Sequence, residues 1–264
     1  AQKFGASITV PCTVRSLGID AGERIITLTD DTRLRARSVL IASGVVYRRL
    51  DVPNFSDFDD AGIYYAATDM ECRFCRGEEV VVVGGGNSAG QAIVRLASYA
   101  RQVHVVVRKP GLGANMSRYL VERIESMKNV TIHGKCTVSA LGGNGRLAAV
   151  DIRDRSGGVR RLETGALFLF IGADANSQWL RGCVELDRNG FVLTGPALPA
   201  GTSENERWRA VGRSPFLLET SLPGVFAAGD VRSGSVKRCA TAVGEGAMAV
   251  NFVHQHIGPA VVAA

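Results

Sequence analysis

Val80-Val81-Val82-Val83-Gly84-Gly85-Gly86-Asn87-Ser88-Ala89-Gly90 is the stretch on which the fold turns. Four consecutive valines predict a strand buried on both faces. Glycines end it, and a helical pattern then opens at Asn87-Ser88-Ala89 and runs through Ile93, Val94, Leu96 and Ala97, predicting a helix over 88–99. Strand, glycine turn and helix in that order give G-x-G-x-x-A a physical meaning. Gly84 permits the tight turn, Gly86 lets the backbone approach a pyrophosphate, and Ala89 lets helix and strand pack closely. The N–H groups at the start of the helix, with their partial positive charge, would face the phosphates. A purely structural glycine turn is the competing reading.

The next strand points to which dinucleotide. Val103-His104-Val105-Val106-Val107 is apolar and ends about 20 residues after the glycines, where an NAD site places an acidic residue for the ribose 2′-hydroxyl. Arg108-Lys109 stand there instead, and two cations favour the 2′-phosphate of NADPH. The bland alternative is that they solvate a strand end.

The 264 residues, 46% of them hydrophobic, suffice for one large core or two modest ones. The net charge of +6 is scattered, with no basic block interleaved with aromatics, so nucleic acid is not indicated. No secretory signal and no apolar run of membrane-spanning length is visible. The six cysteines, at 12, 72, 75, 136, 183 and 239, are therefore expected to be reduced, in a cytoplasmic setting. The chain starts at Ala1 and resembles a piece cut from something longer.

Three stretches follow. Residues 1–60 read as strands over Ile8 to Val14, Arg24 to Thr29 and Ser38 to Ala42, with turns near 18–22 and 30–31. Residues 61–173 alternate strand and helix: strands at Val80–Val83, Val103–Val107, Val130–His133, Leu147–Arg153 and Leu167–Ile171, helices near 88–99 and 117–127. That alternation predicts a largely parallel sheet. Residues 174–264 hold loops, a strand at Val225–Ala228 and a helix from about Thr241 to His256.

Several short motifs then combine. Ser38-Val39-Leu40-Ile41-Ala42-Ser43-Gly44 resembles the strand-plus-A-T-G signature of flavoprotein reductases that bind two dinucleotides. Phe168 to Asn176, through Gly172, resembles their F-x-x-G-x-x-P-N segment. Gly224-Val225-Phe226-Ala227-Ala228-Gly229-Asp230 resembles the second FAD signature, whose Asp bonds the ribityl and phosphate end. Lys237-Arg238-Cys239-Ala240, followed by Gly244-Glu245-Gly246, resembles the segment and helix that face the flavin's pyrimidine edge. In this order the chain is identified as a member of the thioredoxin reductase-like family of FAD/NAD(P)-dependent pyridine nucleotide-disulfide oxidoreductases, truncated at its N-terminal side. The resemblance implies an α/β fold of two Rossmann-like, three-layer dinucleotide domains. An NADPH domain (61–173) is inserted into an incomplete FAD domain (1–60 and 174–264), with hinge strands near residues 60 and 174. The implied cofactor contacts are Gly84, Gly86, Asn87, Ser88, Ala89, Arg108, Lys109 and Gly172 for the NADPH half. For the FAD half they are Ala42, Ser43, Gly44, Gly229, Asp230, Lys237, Arg238 and Cys239.

Three departures from the family pattern matter. No strand-glycine-helix unit precedes residue 38 to grip the FAD pyrophosphate, which predicts poor flavin retention. The family's redox C-A-T-C falls on Ala66-Ala67-Thr68-Asp69, so both cysteine positions are lost. Cys72-Arg73-Phe74-Cys75 lies a few residues on, in a segment read as extended, and is the candidate catalytic dithiol. It is open to three readings: a dithiol with thiols lowered by Arg73 and Arg76, two structural cysteines, or half a zinc site, although no second pair stands at metal spacing. Finally, the family's H-R-R-x-x-x-R clamp becomes Val107-Arg108-Lys109-Pro110-Gly111-Leu112-Gly113; its last cation is missing, and Arg118 is a candidate replacement.

His254 and His256 read as surface or capping residues, and Trp179 and Trp208 as packing. Cys12, Cys136, Cys183 and Cys239 read as small buried apolar residues. The function implied is transfer of a hydride from NADPH to FAD, then of electrons to a thioredoxin-like disulfide or to a small acceptor such as a quinone, with a homodimer as a possible assembly. The rival is an NADP(H)-binding module without turnover.

Overall fold

A computed structural model describes residues 2–20, 22–113 and 115–258. In chain order the strands and helices are β1 (Val14–Asp20), β2 (Glu23–Leu28), β3 (Arg33–Ala36), β4 (Val39–Ile41), β5 (Val45–Tyr47), α1 (Phe55–Phe58), β6 (Ile63–Tyr64), α2 (Asp69–Phe74), β7 (Glu79–Val83) and α3 (Asn87–Leu96). There follow β8 (Gln102–Val107), α4 (Arg118–Glu125), β9 (Val130–Gly134), β10 (Thr137–Gly143), β11 (Leu147–Arg153), β12 (Val159–Glu163), β13 (Leu167–Leu169), β14 (Ala173–Ala175), α5 (Glu206–Val211), β15 (Val225–Ala227) and α6 (Cys239–Ile257). They form two compact units, one of residues 1–46 and 173–264, the other of residues 47–172.

The second unit is built on a five-stranded sheet in the order β6-β13-β7-β8-β9, parallel in every pairing for which a register is given. Its alternate residues serve two cores. Val80, Val82, Val103, Val105 and Val107 pack with Ala89, Ala92, Ile93 and Leu96 of α3 and with Leu120 and Ile124 of α4. Val81, Val83 and Val106 face Val138, Leu141, Val150 and Ile152. A helical layer, a parallel sheet and an antiparallel sheet thus make three layers, and burial on both faces is why β7 is nearly all valine. One expectation fails here. Leu147–Arg153 is no member of the parallel sheet but the centre of the antiparallel β10-β11-β12 sheet. Its neighbours β10 and β12 carry glycine and charge, and hid among the loops.

Under that antiparallel sheet runs a polar row. The Glu79 carboxylate meets His104 Nε2 at 3.1 Å, His104 Nδ1 meets His133 Nε2 at 3.1 Å, and Arg101 closes the row on Glu79 at 3.1 Å. Burial first, then His104 and Arg160, push His133 down to about 4. Its folded pKa therefore lies below the unfolded one, and between about pH 6.5 and 4 the unfolded chain holds a proton that the folded chain does not. Stability of this unit should fall as pH drops through that window, by on the order of 2–3 kcal/mol when the drop is complete. All five tyrosines lie at 47, 64, 65, 99 and 119, inside this unit, so urea unfolding followed by tyrosine absorbance isolates it. His133→Leu should flatten the slope between pH 7 and 5.5; an unchanged slope would remove His133 as its cause.

In the first unit, β1-β2-β3 form an antiparallel meander and β4 pairs in parallel with β15, Val39–Ile41 against Val225–Ala227. The first strand is Val14–Asp20 rather than Ile8 to Val14, so Gly18 lies within a strand and the turn follows it. Trp208 is buried, and Trp179 is half-buried against a core of Leu180, Val192, Leu222 and Val225. Cys12 and Cys239 are exposed, and Cys136 and Cys183 only half-buried, against the expectation of four buried thiols. Among the described residues no helix is long and apolar enough to cross a membrane.

Candidate functional site

The glycine turn sits where β7 ends. Gly84 has φ +144°, and a Cβ there would stand 2.5 Å from the Phe170 carbonyl oxygen, so this glycine is required by the fold itself. Gly86 differs. Its backbone is extended (φ −100°), and a Cβ would meet only the Asn115 carbonyl, at 4.0 Å. Nothing in the fold forbids a side chain at Gly86; open space lies above it.

Gly86 is also the N-cap of α3, with no side-chain cap. Asn87 and Ser88 are exposed, and Ala89 is fully buried against the sheet. The first N–H groups of a helix have no intrahelical acceptor. Asn87 does not cap its own helix: its Oδ1 accepts from Ser117 N–H (2.7 Å) and Ser117 Oγ–H (2.9 Å), and Gly86 bridges to Asn115. The segment that opens α4 is thus fastened beside the turn, a link that spacing alone does not reveal. An open, glycine-floored helix N-terminus fits a pyrophosphate.

Arg108 and Lys109 follow β8 directly, both exposed. Arg118 is exposed on α4, its Nε donating to Glu122 at 2.8 Å. Gly172 has φ +98°, and its carbonyl accepts from Arg48 N–H at 3.1 Å.

In the first unit, Ala42-Ser43-Gly44 ends β4. Ser43 Oγ donates to the Asn176 carbonyl at 2.7 Å, and Gly44, at φ +64°, has open space beside it. Gly229, at φ +75°, donates its N–H to Glu245 Oε2 at 2.7 Å, and Arg232 completes an ion pair with the same buried carboxylate. Glu245 lies in the quoted Gly244-Glu245-Gly246 motif, but its pairing with Gly229 and Arg232, which ties α6 to the turn that bears Asp230, carries no signal in the sequence. The Asp230 carbonyl accepts from Lys237 Nζ (2.8 Å), which lies 4.2 Å from the centre of the Phe191 ring. Arg238 caps α6 without a side-chain cap bond, and exposed Cys239 opens it. Ser235 lies against the Glu245 carboxylate, and among the described residues the buried Arg232 Nε has no hydrogen-bond partner. An unpaired buried donor two residues from Asp230, with an uncapped helix start, fits the polar ribityl and ring edge of FAD.

The cysteine pair departs from expectation. Its segment is not extended but the helix α2, opened by a capping box in which the Thr68 side chain and Glu71 exchange bonds. Cys72 lies within α2 and Cys75 caps its end; both thiols are free. Both are buried in the apolar cluster that holds Val80, Ile93 and Phe168. Burial pushes Cys72 up, and burial with Cys72 and Glu78 nearby pushes Cys75 up to about 11. The expected lowering by Arg73 and Arg76 is absent; Arg76 instead stacks on Tyr99, 5.7 Å from the ring centre. Asp69, at one lost family position, opens α2 and pairs with Arg95. His256 is no surface residue: its Nδ1 lies 3.0 Å from Arg213 Nη2.

A family model described as pyridine nucleotide-disulphide oxidoreductase matches residues 1–246. The chain is 33% identical over 261 residues to NADPH-dependent thioredoxin reductase 3 of Arabidopsis thaliana, covering 97% of this chain and 45% of the plant protein. It is 30% identical over 250 residues to thioredoxin reductase of Mycolicibacterium smegmatis, covering 94% of this chain and 73% of that protein. The crystal structure of T. acidophilum thioredoxin reductase matches with a TM-score of 0.68 at 27% identity, over 92% of this chain and 73% of that one. The chain therefore spans under half the length of the plant relative and about three quarters of the other two.

Proposed function

Since the chain belongs to the pyridine nucleotide-disulphide oxidoreductase family, we propose that it is an NADPH-dependent flavoprotein oxidoreductase in which the unit of residues 47–172 takes NADPH and the other unit takes FAD. The observation that carries this is the open Gly86 floor under the uncapped start of α3, with Arg108-Lys109 at the end of the neighbouring strand. NADPH supplies a hydride and FAD relays it as electrons; the protein binds, orients and keeps water from the rings. Gly86, Asn87 and Ser88 hold the pyrophosphate, Arg108 and Lys109 the 2′-phosphate, and Ala89 keeps α3 close to β7. Ser43, Gly44, Gly229, Asp230, Lys237, Arg238 and Cys239 hold the ribityl and ring end of the flavin, in a cytoplasmic setting.

Electrons leave to a small carrier of quinone type rather than through a protein dithiol. Two buried thiols with raised pKa values are poor nucleophiles and poor dithiol donors. Cys72→Ser with Cys75→Ser should leave NADPH-dependent quinone reduction within about threefold of the parent, a barrier change under roughly 1 kcal/mol. The parent should fail to reduce thioredoxin. NADPH oxidation with each acceptor, on FAD-loaded protein, measures both; thioredoxin reduction lost in the double variant would restore the disulfide route.

The nucleotide assignment has its own test. Arg108→Ala should weaken NADPH by about 1.5 kcal/mol, the low end for a bond to a charged group because the residue is exposed, and leave NADH nearly unchanged. Calorimetric titration of both decides it, and equal losses would end the 2′-phosphate role. Anaerobic NADPH should also bleach the visible absorbance of added FAD. The narrow β4–β15 sheet favours one other reading: if NADPH binds but no bleaching follows, the chain is a nucleotide-binding module.

A further inference from the structure

We propose that Lys135 supplies the third cation of the 2′-phosphate clamp and so sets the preference for NADPH over NADH. This rests on the nucleotide reading above and extends it to a residue that no family motif marks. The clamp has lost a cation at Gly113, and Arg118, the replacement read from sequence, stands on the exposed surface of α4 with its Nε on Glu122.

The topology brings another cation to the same place. β8 and β9 run parallel with Val107 opposite Gly134, so the next residues along, Arg108 and Lys135, leave the sheet side by side. The two strand ends are then fastened together. Lys135 N–H donates to the Lys109 carbonyl at 2.8 Å, and Cys136 N–H to the Val107 carbonyl at 3.1 Å. A Cβ at Gly134 would overlap the Pro110 carbonyl, so the two segments touch backbone to backbone.

Two further facts point from placement to role. Lys135 has φ +57°, left-handed backbone that disfavours a lysine and suits glycine or asparagine. Local strain of this kind is carried where a side chain is needed at that spot. Moreover, among the described residues no carboxylate forms an ion pair with Arg108, Lys109 or Lys135, whereas many of the chain's other arginines do. Three exposed cations at two adjoining strand ends, without counter-charges, form a site for a doubly charged anion. The carboxyl end of these strands is where the adenosine ribose lies in a Rossmann unit.

Because glycine and asparagine suit this backbone better than lysine, they remove the charge without threatening the fold. Lys135→Gly and Lys135→Asn should keep or raise the melting temperature of the tyrosine-reported unit. On the full 264-residue chain, calorimetry should show NADPH affinity falling about tenfold, with NADH changed by under about twofold. Lys135→Arg should retain most of the NADPH affinity. Unchanged NADPH affinity in both neutral variants, or equal losses for the two nucleotides, would overturn the assignment. Arg108→Ala separates the two levels of the argument. If it erases the preference for NADPH while Lys135→Gly keeps it, the nucleotide reading stands and Lys135 is excluded. If the parent itself does not prefer NADPH, both fall together.

Discussion

Gly86→Val should abolish binding of NADPH and NADH alike while the protein stays folded. The substitution is informative because fold and ligand make separate demands at this glycine turn. At Gly86 the backbone is extended, which any residue adopts, and a Cβ would come no closer than 4.0 Å to its nearest neighbour, the Asn115 carbonyl. The fold thus loses little beyond the modest preference for glycine over valine at an N-cap, about 1 kcal/mol. A pyrophosphate on the first N–H groups of α3 would need the space that the isopropyl group takes. Affinity for both nucleotides should fall by about a thousandfold or more, roughly 4 kcal/mol. Gly84→Ala is the control with opposite consequences. Its φ of +144° and the Phe170 carbonyl at 2.5 Å place the damage in the fold, so tyrosine-reported stability should drop along with binding. Titration of NADPH and NADH with each folded variant checks both; near-parental affinity in Gly86→Val would mean that the phosphates lie elsewhere.

That contrast also shows what could be read from sequence. β7 and β8 are legible because a strand buried on both faces is a run of valine, and α3 because its apolar residues recur with helical spacing. What was missed depends on tertiary contacts. α2 is only six residues long, Asp69–Phe74, too short for periodicity to show, and its one clear local signal is the Thr68–Glu71 capping pair. β10 ends in two glycines, β12 is mostly charged, and both become strands only through pairing with β11. At the site, residue types mark Gly84, Gly86 and Arg108. Asn87 with Ser117, Lys109 with Lys135 and Gly229 with Glu245 are separated by 16 to 30 residues and meet only in the fold.

Glu219→Ala should unfold the unit of residues 1–46 and 173–264 at markedly lower denaturant, at a cost of about 3–5 kcal/mol. The carboxylate is fully buried and takes four donors. Oε1 accepts from Arg213 Nη2 (3.0 Å) and Gly224 N–H (2.7 Å); Oε2 accepts from Arg213 Nη1 (2.7 Å) and Phe216 N–H (3.0 Å). Removing it strands the mostly buried Arg213 guanidinium, which lies 3.8 Å from the centre of the Phe216 ring and touches His256. Two backbone donors lose their partner as well. Glu219→Gln keeps the shape and one acceptor oxygen but turns an amide N–H₂ toward the guanidinium, so it should fall between alanine and the parent. Both tryptophans, 179 and 208, lie in this unit, and their fluorescence in urea reports it apart from the tyrosine signal of the other. A tryptophan transition within about 1 kcal/mol of the parent would show that the pair is dispensable. The consequence for flavin follows from position. Glu219 anchors Gly224, which turns the chain into β15 and on to Gly229-Asp230, so a folded Glu219→Gln protein should retain less added FAD than the parent while its NADPH affinity, set in the other unit, is unchanged.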